Sequence, residues 1–203
     1  MTTHPKKERT LVIIKPDGIQ RTLIAELIGR YERIGLKMVG IKMMVPTAEL
    51  IEKHYTLDSE WRVKTGLKTI KGYQDKGLTP PEMDPLKITA KILTRLVEYM
   101  TKGPIIAIVW EGAHAVEVVR KLTGGTEPVT SDVGTIRGDL VLDSYRMSDA
   151  DNRSIRNLVH ASGTVKEAED EIAHWFRKEE LIDYHLVMEH IVYDIALDDI
   201  LGK

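Results

Sequence analysis

Thr10-Leu11-Val12-Ile13-Ile14-Lys15-Pro16-Asp17-Gly18 decides how this 203-residue chain is read. A compact, mostly β-branched run closed by a Pro-Asp-Gly turn signal predicts a central strand whose last residue is a lysine. A lysine ending a buried strand is unusual unless it emerges into a cleft or meets an anion. Outward from it, the periodicity predicts a helix over 22–34, with Leu23, Leu27, Ile28 and Tyr31 on one face and Gly35 as its stop. A second strand is predicted over 36–45 and a short helix over 48–55. Asp84-Pro85 opens a helix running to Met100, Ile105 to Trp110 forms a third strand, and a helix follows over 113–122. A fourth strand carries His160, and Thr164-x-x-Glu167 starts a capped helix reaching Phe176.

The order is β-α-β, β-α-β. That predicts an α+β, ferredoxin-like split βαβ (βαββαβ) fold: a four-stranded antiparallel sheet, backed by helices on one face, with added helices. One domain over 1–203 is expected. Two stretches exceed what the connections need, and both read as insertions: about 57–85, as a hairpin or short helices, and about 143–153. Between them, residues 123–139 form a long Gly-rich loop. The tail from Glu180 to Lys203 has mixed periodicity and could reach a neighbouring subunit.

Hydrophobic residues make up 42%, charged residues 30%, and the formal net charge is -2. Such a balance gives no global attraction to nucleic acid or anionic membranes, and no apolar run is long enough to span a bilayer. No nucleic-acid or membrane partner is expected. Cysteine is absent, which excludes disulfides and thiolate chemistry. The polar opening Met1 to Lys7 shows no signal-peptide pattern, so a cytoplasmic location is expected. P-loop and dinucleotide glycine motifs are absent. His185 and His190 stand five apart, off a single helical face, and no protein-ligated metal is expected.

His160 falls where a strand ends and a helix N-terminus begins, a place that favours anions. An imidazole there either accepts and passes on a phosphoryl group or is satisfied by a backbone carbonyl. Phosphate-seeking groups are scattered along the chain: Lys15, Arg120, Thr126, Thr135, Arg137, Asn157 and Ser162. Singly, each also suits an ordinary solvated or structural role.

Four motifs in register resolve this. Glu8 to Gly18, Gly103-Pro104 with Val109-Trp110-Glu111-Gly112, Gly134-Thr135-Ile136-Arg137-Gly138-Asp139, and Asn157-Leu158-Val159-His160-Ala161-Ser162 together closely resemble the nucleoside diphosphate kinase family. The likeness runs from Glu8 to about Tyr193, apart from the two suspected insertions. It implies that His160 takes the γ-phosphoryl group of a nucleoside triphosphate, typically ATP, on Nδ1. The phosphohistidine then passes that group to a nucleoside diphosphate, in ping-pong fashion. The resemblance also implies that Glu171 orients the ring and can bond Ser162, and that Tyr55 stands near the histidine. Lys15 would reach the γ-phosphate and the ribose. Arg120, Thr126 and Arg137 would hold the phosphates, and Asn157 would contact the sugar. Mg2+ would arrive with the nucleotide, bridging phosphate oxygens. Family members assemble as hexamers or tetramers built from dimers, so a homo-oligomer is expected. The alternative is a catalytically impaired nucleotide-binding or regulatory module on the same fold.

One departure concerns the base. Where the family stacks an aromatic ring, alignment back from Val97-Glu98-Tyr99-Met100 places Ile92, with Leu96 at the family's leucine. Either Ile92 clamps the base, or Trp61 or Tyr73 supplies the ring. The segment at 143–153 either loops outward or lids the site.

Overall fold

The computed structural model describes residues 5–193 and Gly202. β1 (Glu8–Ile14) lies inside a four-stranded sheet of order β2-β3-β1-β4, formed with β2 (Lys37–Met44), β3 (Ile105–Gly112) and β4 (Val159–Ala161). Every neighbouring pair is antiparallel. Pleating divides the apolar side chains in two. Val12, Ile14, Ile106, Ile108 and Trp110 face one core, while Leu11, Ile13, Ile105, Ala107 and Val109 face another.

Leu27 and Tyr31 of α2 (Ile24–Glu32) and Val119 of α6 (Ala115–Thr123) fill the first core. The second is filled by Ile51 of α3 (Ala48–Tyr55), Met100 of α5 (Pro85–Met100), and Ile172 and Trp175 of α9 (Val165–Trp175). Helices therefore cover both faces, where one face was expected. The reason is in the strands: all of β3 and the last five residues of β1 are buried, so neither face can be left to water.

Local differences have local causes. Pro16-Asp17-Gly18 does not merely turn; it opens α1 (Pro16–Gln20), with Lys15 in the N-cap position. Thr22, at φ 56°, separates α1 from α2, which starts at Ile24. The expected hairpin or short helices of 57–85 are replaced by one continuous helix, α4 (Trp61–Asp75), lying against α5. Gly66 does not break α4. A Cβ there would run into the Pro85 backbone, and Thr89 Oγ1 donates to Arg62 O at 2.6 Å across the same contact. The long loop contains α7 (Ile136–Leu140), with Thr135 as its N-cap.

Residues 143–153 hold α8 (Tyr145–Ala150), capped by Ser144. Asp143 closes the segment on itself, accepting from Arg153 Nη1 at 2.6 Å and from Arg156 N at 2.7 Å. α8 is not solvated alone. Tyr73 Oη donates to Asp149 Oδ2 and Arg95 Nη2 to Asn152 Oδ1, each at 2.5 Å, joining the segment to α4 and α5.

The tail folds back on its own sheet. Ile182 N donates to Val39 O at 2.7 Å, and Glu189 of α10 (Met188–Tyr193) pairs with Lys37 at 3.0 Å. Residues 194–201 and 203, part of the tail expected at a neighbouring subunit, lie outside the described residues. Among the described residues, no helix is long and apolar enough to cross a membrane.

Candidate active site

β4 positions His160 by its register. His160 stands opposite Ile13, so its ring projects to the face covered by α3 and α9. There α9 supplies Glu171, whose Oε1 lies 2.8 Å from His160 Nε2 and whose Oε2 accepts from Ser162 Oγ at 2.6 Å. Ser162 is itself fastened to β1, since its Oγ accepts from Leu11 N at 3.2 Å. Thr164 caps α9 by accepting from Glu167 N. The reciprocal half of the expected capping box shifts by one residue, with Glu167 Oε2 accepting from Gly163 N at 2.9 Å. One turn further, α9 places Glu171 on the same face, four residues on.

The backbone before His160 is strained. Leu158, just before β4, has φ 64°, a conformation that costs a leucine of order 1–3 kcal/mol. It is held on both sides: Leu158 N donates to Asp17 Oδ2, and Leu158 O accepts from Lys15 N at 2.8 Å. α1 and β4 thereby fix each other. Lys15 Nζ donates to Asn157 Oδ1 at 2.7 Å, and Asn157 Nδ2 donates to Thr126 O at 2.9 Å. Arg137 donates to four backbone carbonyls, those of Gly124, Gly125, Asn157 and Val159. A guanidinium has about five N–H donors. One Nη2–H therefore remains, so Arg137 is first a brace between the Gly-rich loop and the strand carrying His160.

The electrostatics follow from burying cations together. Desolvation, with Arg137 nearby, lowers Lys15 to about 7. The same burial, with Lys15, Arg137 and Arg120 close by, holds His160 well below the ordinary imidazole range and keeps it neutral. Arg137 drops to about 10 through burial and stays a cation. Burial raises Glu171 above the usual carboxylate range. The buried Tyr55 phenol is likewise raised.

Tyr55, at the end of α3, has its ring 6.4 Å from that of His160. Arg120 and the Thr126 side chain are exposed. Trp61 packs 5.7 Å from Tyr55, Tyr73 is bound to Asp149, and Ile92 is half-buried on α5. Two neighbours of the site went unread in the sequence. His54 is buried with its ring 4.5 Å from that of His160, and Trp175 donates to His54 Nδ1 at 3.1 Å. The i, i+4 spacing of Glu171 and Trp175 was the available signal.

His54, His160 and Glu171 bring donor atoms within 4.8 Å of one another. Both imidazoles are already hydrogen-bonded at the nitrogens that face this point, His160 Nε2 to Glu171 and His54 Nδ1 to Trp175, so neither offers a free lone pair there. Mg2+ prefers oxygen ligands, and two imidazoles with one carboxylate do not supply such a set.

The family model described as nucleoside diphosphate kinase matches residues 8–68 and 87–181. The nucleoside diphosphate kinase of Pyrobaculum aerophilum is 44% identical over 180 residues, 87% of this chain and 98% of that protein. The solved structure of the NDP kinase from that organism aligns with TM-score 0.82 at 43% identity, over 87% of this chain and all of that one. A transition-state mimic of the Borrelia burgdorferi enzyme with bound vanadate and ADP aligns with TM-score 0.75 at 34% identity, over 92% of this chain and 96% of that one. This chain belongs to the nucleoside diphosphate kinase family, phosphotransferases that act on nucleotides.

Proposed function

We propose that His160 Nδ1 is the nucleophile that carries the phosphoryl group between two nucleotides. The observation that carries this is the Nε2–Glu171 bond: it fixes the ring proton on Nε2 and leaves the Nδ1 lone pair without a partner among the described residues. That lone pair attacks the γ-phosphorus, the bond to the β-phosphate oxygen breaks, and the nucleoside diphosphate leaves. The ring, now bonded to phosphorus at Nδ1 and still protonated at Nε2, gains positive charge that the Glu171 carboxylate balances. A β-phosphate oxygen of the second diphosphate then attacks the same phosphorus, the P–N bond breaks, and the histidine returns unchanged.

Lys15 meets the transferred group, and Arg120, Thr126 and the remaining Arg137 N–H hold the phosphates. Asn157, tied to Lys15, reaches the sugar, while Tyr55 and Ser162 complete the ring's surroundings. Mg2+, brought by the nucleotide, neutralises phosphate oxygens. Ile92 or Trp61 covers the base, since Tyr73 is bonded to Asp149. A cytoplasmic homo-oligomer built from dimers goes with the family, and the exposed Ile41, Met43 and Val45 offer an apolar edge on and beside β2 for a second copy.

The test is chemical. With γ-labelled ATP, Mg2+ and no acceptor, the protein acquires acid-labile, alkali-stable label, and His160→Ala does not. Label on His160→Ala, with transfer to GDP, overturns the assignment.

A further inference from the structure

His54 is the most closely built group against the nucleophile that the chemistry above leaves unused. It sits in the last turn of α3, and its side chain is fully buried. Trp175 Nε1 can only donate, so its 3.1 Å bond to His54 Nδ1 fixes the tautomer: the lone pair is on Nδ1 and the proton on Nε2. Glu171 Oε1 lies 3.6 Å from that same Nδ1 and 2.8 Å from His160 Nε2. The carboxylate oxygen that orients the nucleophile is thus flanked by two imidazoles. The two rings meet edge to face at 4.5 Å, with planes 84° apart.

We propose that His54 is a positioning residue for the nucleophile, and that the Trp175–His54 hydrogen bond reserves Glu171 for His160. This rests on His160 being the nucleophile. In the other tautomer, or doubly protonated, His54 would carry an Nδ1–H 3.6 Å from Glu171 Oε1 and would compete for it. His160 would then lose the bond that keeps its proton on Nε2, and Nδ1 would no longer be reliably free. The indole N–H forbids that state, because it would place two donors face to face.

The surroundings act in the same direction. Lys15, His160 and His174 oppose a proton on His54, Glu171 alone favours one, and Tyr55 packs against the ring uncharged. Burial is the largest cause, and His54 is pushed down to about 3.

Nitrogen-15 NMR of the histidine-labelled protein tests the tautomer without any substitution. A neutral His54 with its proton on Nε2 from pH 5 to 8 is expected; an Nδ1–H, or an imidazolium in that range, overturns the proposal and leaves the nucleophile assignment standing. Trp175→Phe keeps a ring but removes the donor. Its single-turnover labelling of His160 is expected to slow about ten-fold, most at the acid end of the profile, with half-saturating ATP unchanged. The double variant His54→Phe/Trp175→Phe removes the competitor as well and is expected to recover at least about half of that loss, the non-additivity of a coupled pair. A merely packing role predicts the reverse, with the double variant slower than Trp175→Phe. That outcome, or wild-type labelling by Trp175→Phe, sinks the proposal.

Discussion

Around β4 and α9, Ser162 and Glu171 are buried and each joins two partners. Where residues 143–153 meet α4 and α5, polar groups pair near the surface. Ser162 is fully buried and Glu171 only 3% exposed, and each bond they make also aims His160. Arg95 and Asp149, by contrast, pair at 3.6 Å with side chains 26% and 44% exposed. In the first region a lost partner leaves a desolvated group with nothing to bond, which costs about 1–3 kcal/mol and more for a charge. In the second, water replaces the partner. The surroundings of His160 should therefore be brittle and the contacts of residues 143–153 with α4 and α5 tolerant.

The largest effect should come from the brace. Arg137→Ala removes the donor from four backbone carbonyls at once, so urea unfolding should show a loss of about 3–5 kcal/mol, with labelling of His160 nearly abolished. Arg137→Lys keeps the charge without the fork and should recover only part of the loss. A stability change below about 1 kcal/mol would mean these bonds are replaceable by water, and the contrast between the regions would fail.

Next in size is the orienting carboxylate. Glu171→Gln keeps the shape and loses the charge proposed to balance a phosphorylated His160 ring. First-turnover labelling should fall about a hundred-fold at unchanged half-saturation by ATP, the scale of one preorganised electrostatic contact. Ser162→Ala leaves Glu171 in place with one bond fewer, and its effect should be smaller. Equal effects on rate and half-saturation would show that Glu171 holds substrate instead.

Lys15 gives a pH test. Its amine is lowered to about 7, so near pH 8 it is mostly neutral until a phosphate restores its charge. Nucleotide binding should then take up about 0.9 proton at pH 8 and about 0.1 at pH 6, and affinity should fall up to about ten-fold per unit above pH 7. Calorimetry in buffers of different ionisation enthalpy reads the uptake, and Lys15→Gln should abolish it. The stability contribution has the opposite sense to that of a paired lysine. Between 7 and 10.5 the unfolded chain binds the extra proton, so this group's contribution to stability rises with pH across that window.

The brittle region is also the one that could be read from the sequence. Lys15, Arg137, Asn157 and His160 lie in short contiguous motifs, Glu171 follows His160 by 11 residues, and the β-branched run of β1 announces the strand that Lys15 closes. The Glu171 bonds to His160 and Ser162 came with the family resemblance, but the other partners were not legible. Arg137 looks like a phosphate ligand in sequence, yet its contacts are backbone carbonyls, which carry no residue identity. His54 and Trp175 lie 121 residues apart and meet only because α3 and α9 share a face. Helices on both faces were implied by the uniform burial of β3, but the composition of a strand does not say which helices supply the cover. Gly66 shows why α4 is not legible as one helix: a glycine that admits another helix and one that ends its own look the same in one dimension.

The smallest effect should come from the clasp between α4 and α8. Tyr73→Phe removes the donor to Asp149, and Asp149→Asn weakens that bond and the ion pair to Arg95 together. Both groups are reached by water, and the exposed charges give little net stabilisation because solvent and salt screen them. Each variant should unfold within about 1 kcal/mol of the parent and label His160 within about two-fold of its rate, since no bond to β4 or α9 is touched. Losses of that size should shrink further in 0.5 M salt, where the screening length is about 4 Å. A loss near 3 kcal/mol, insensitive to salt, would place Asp149 among the buried groups and erase the difference between the two regions.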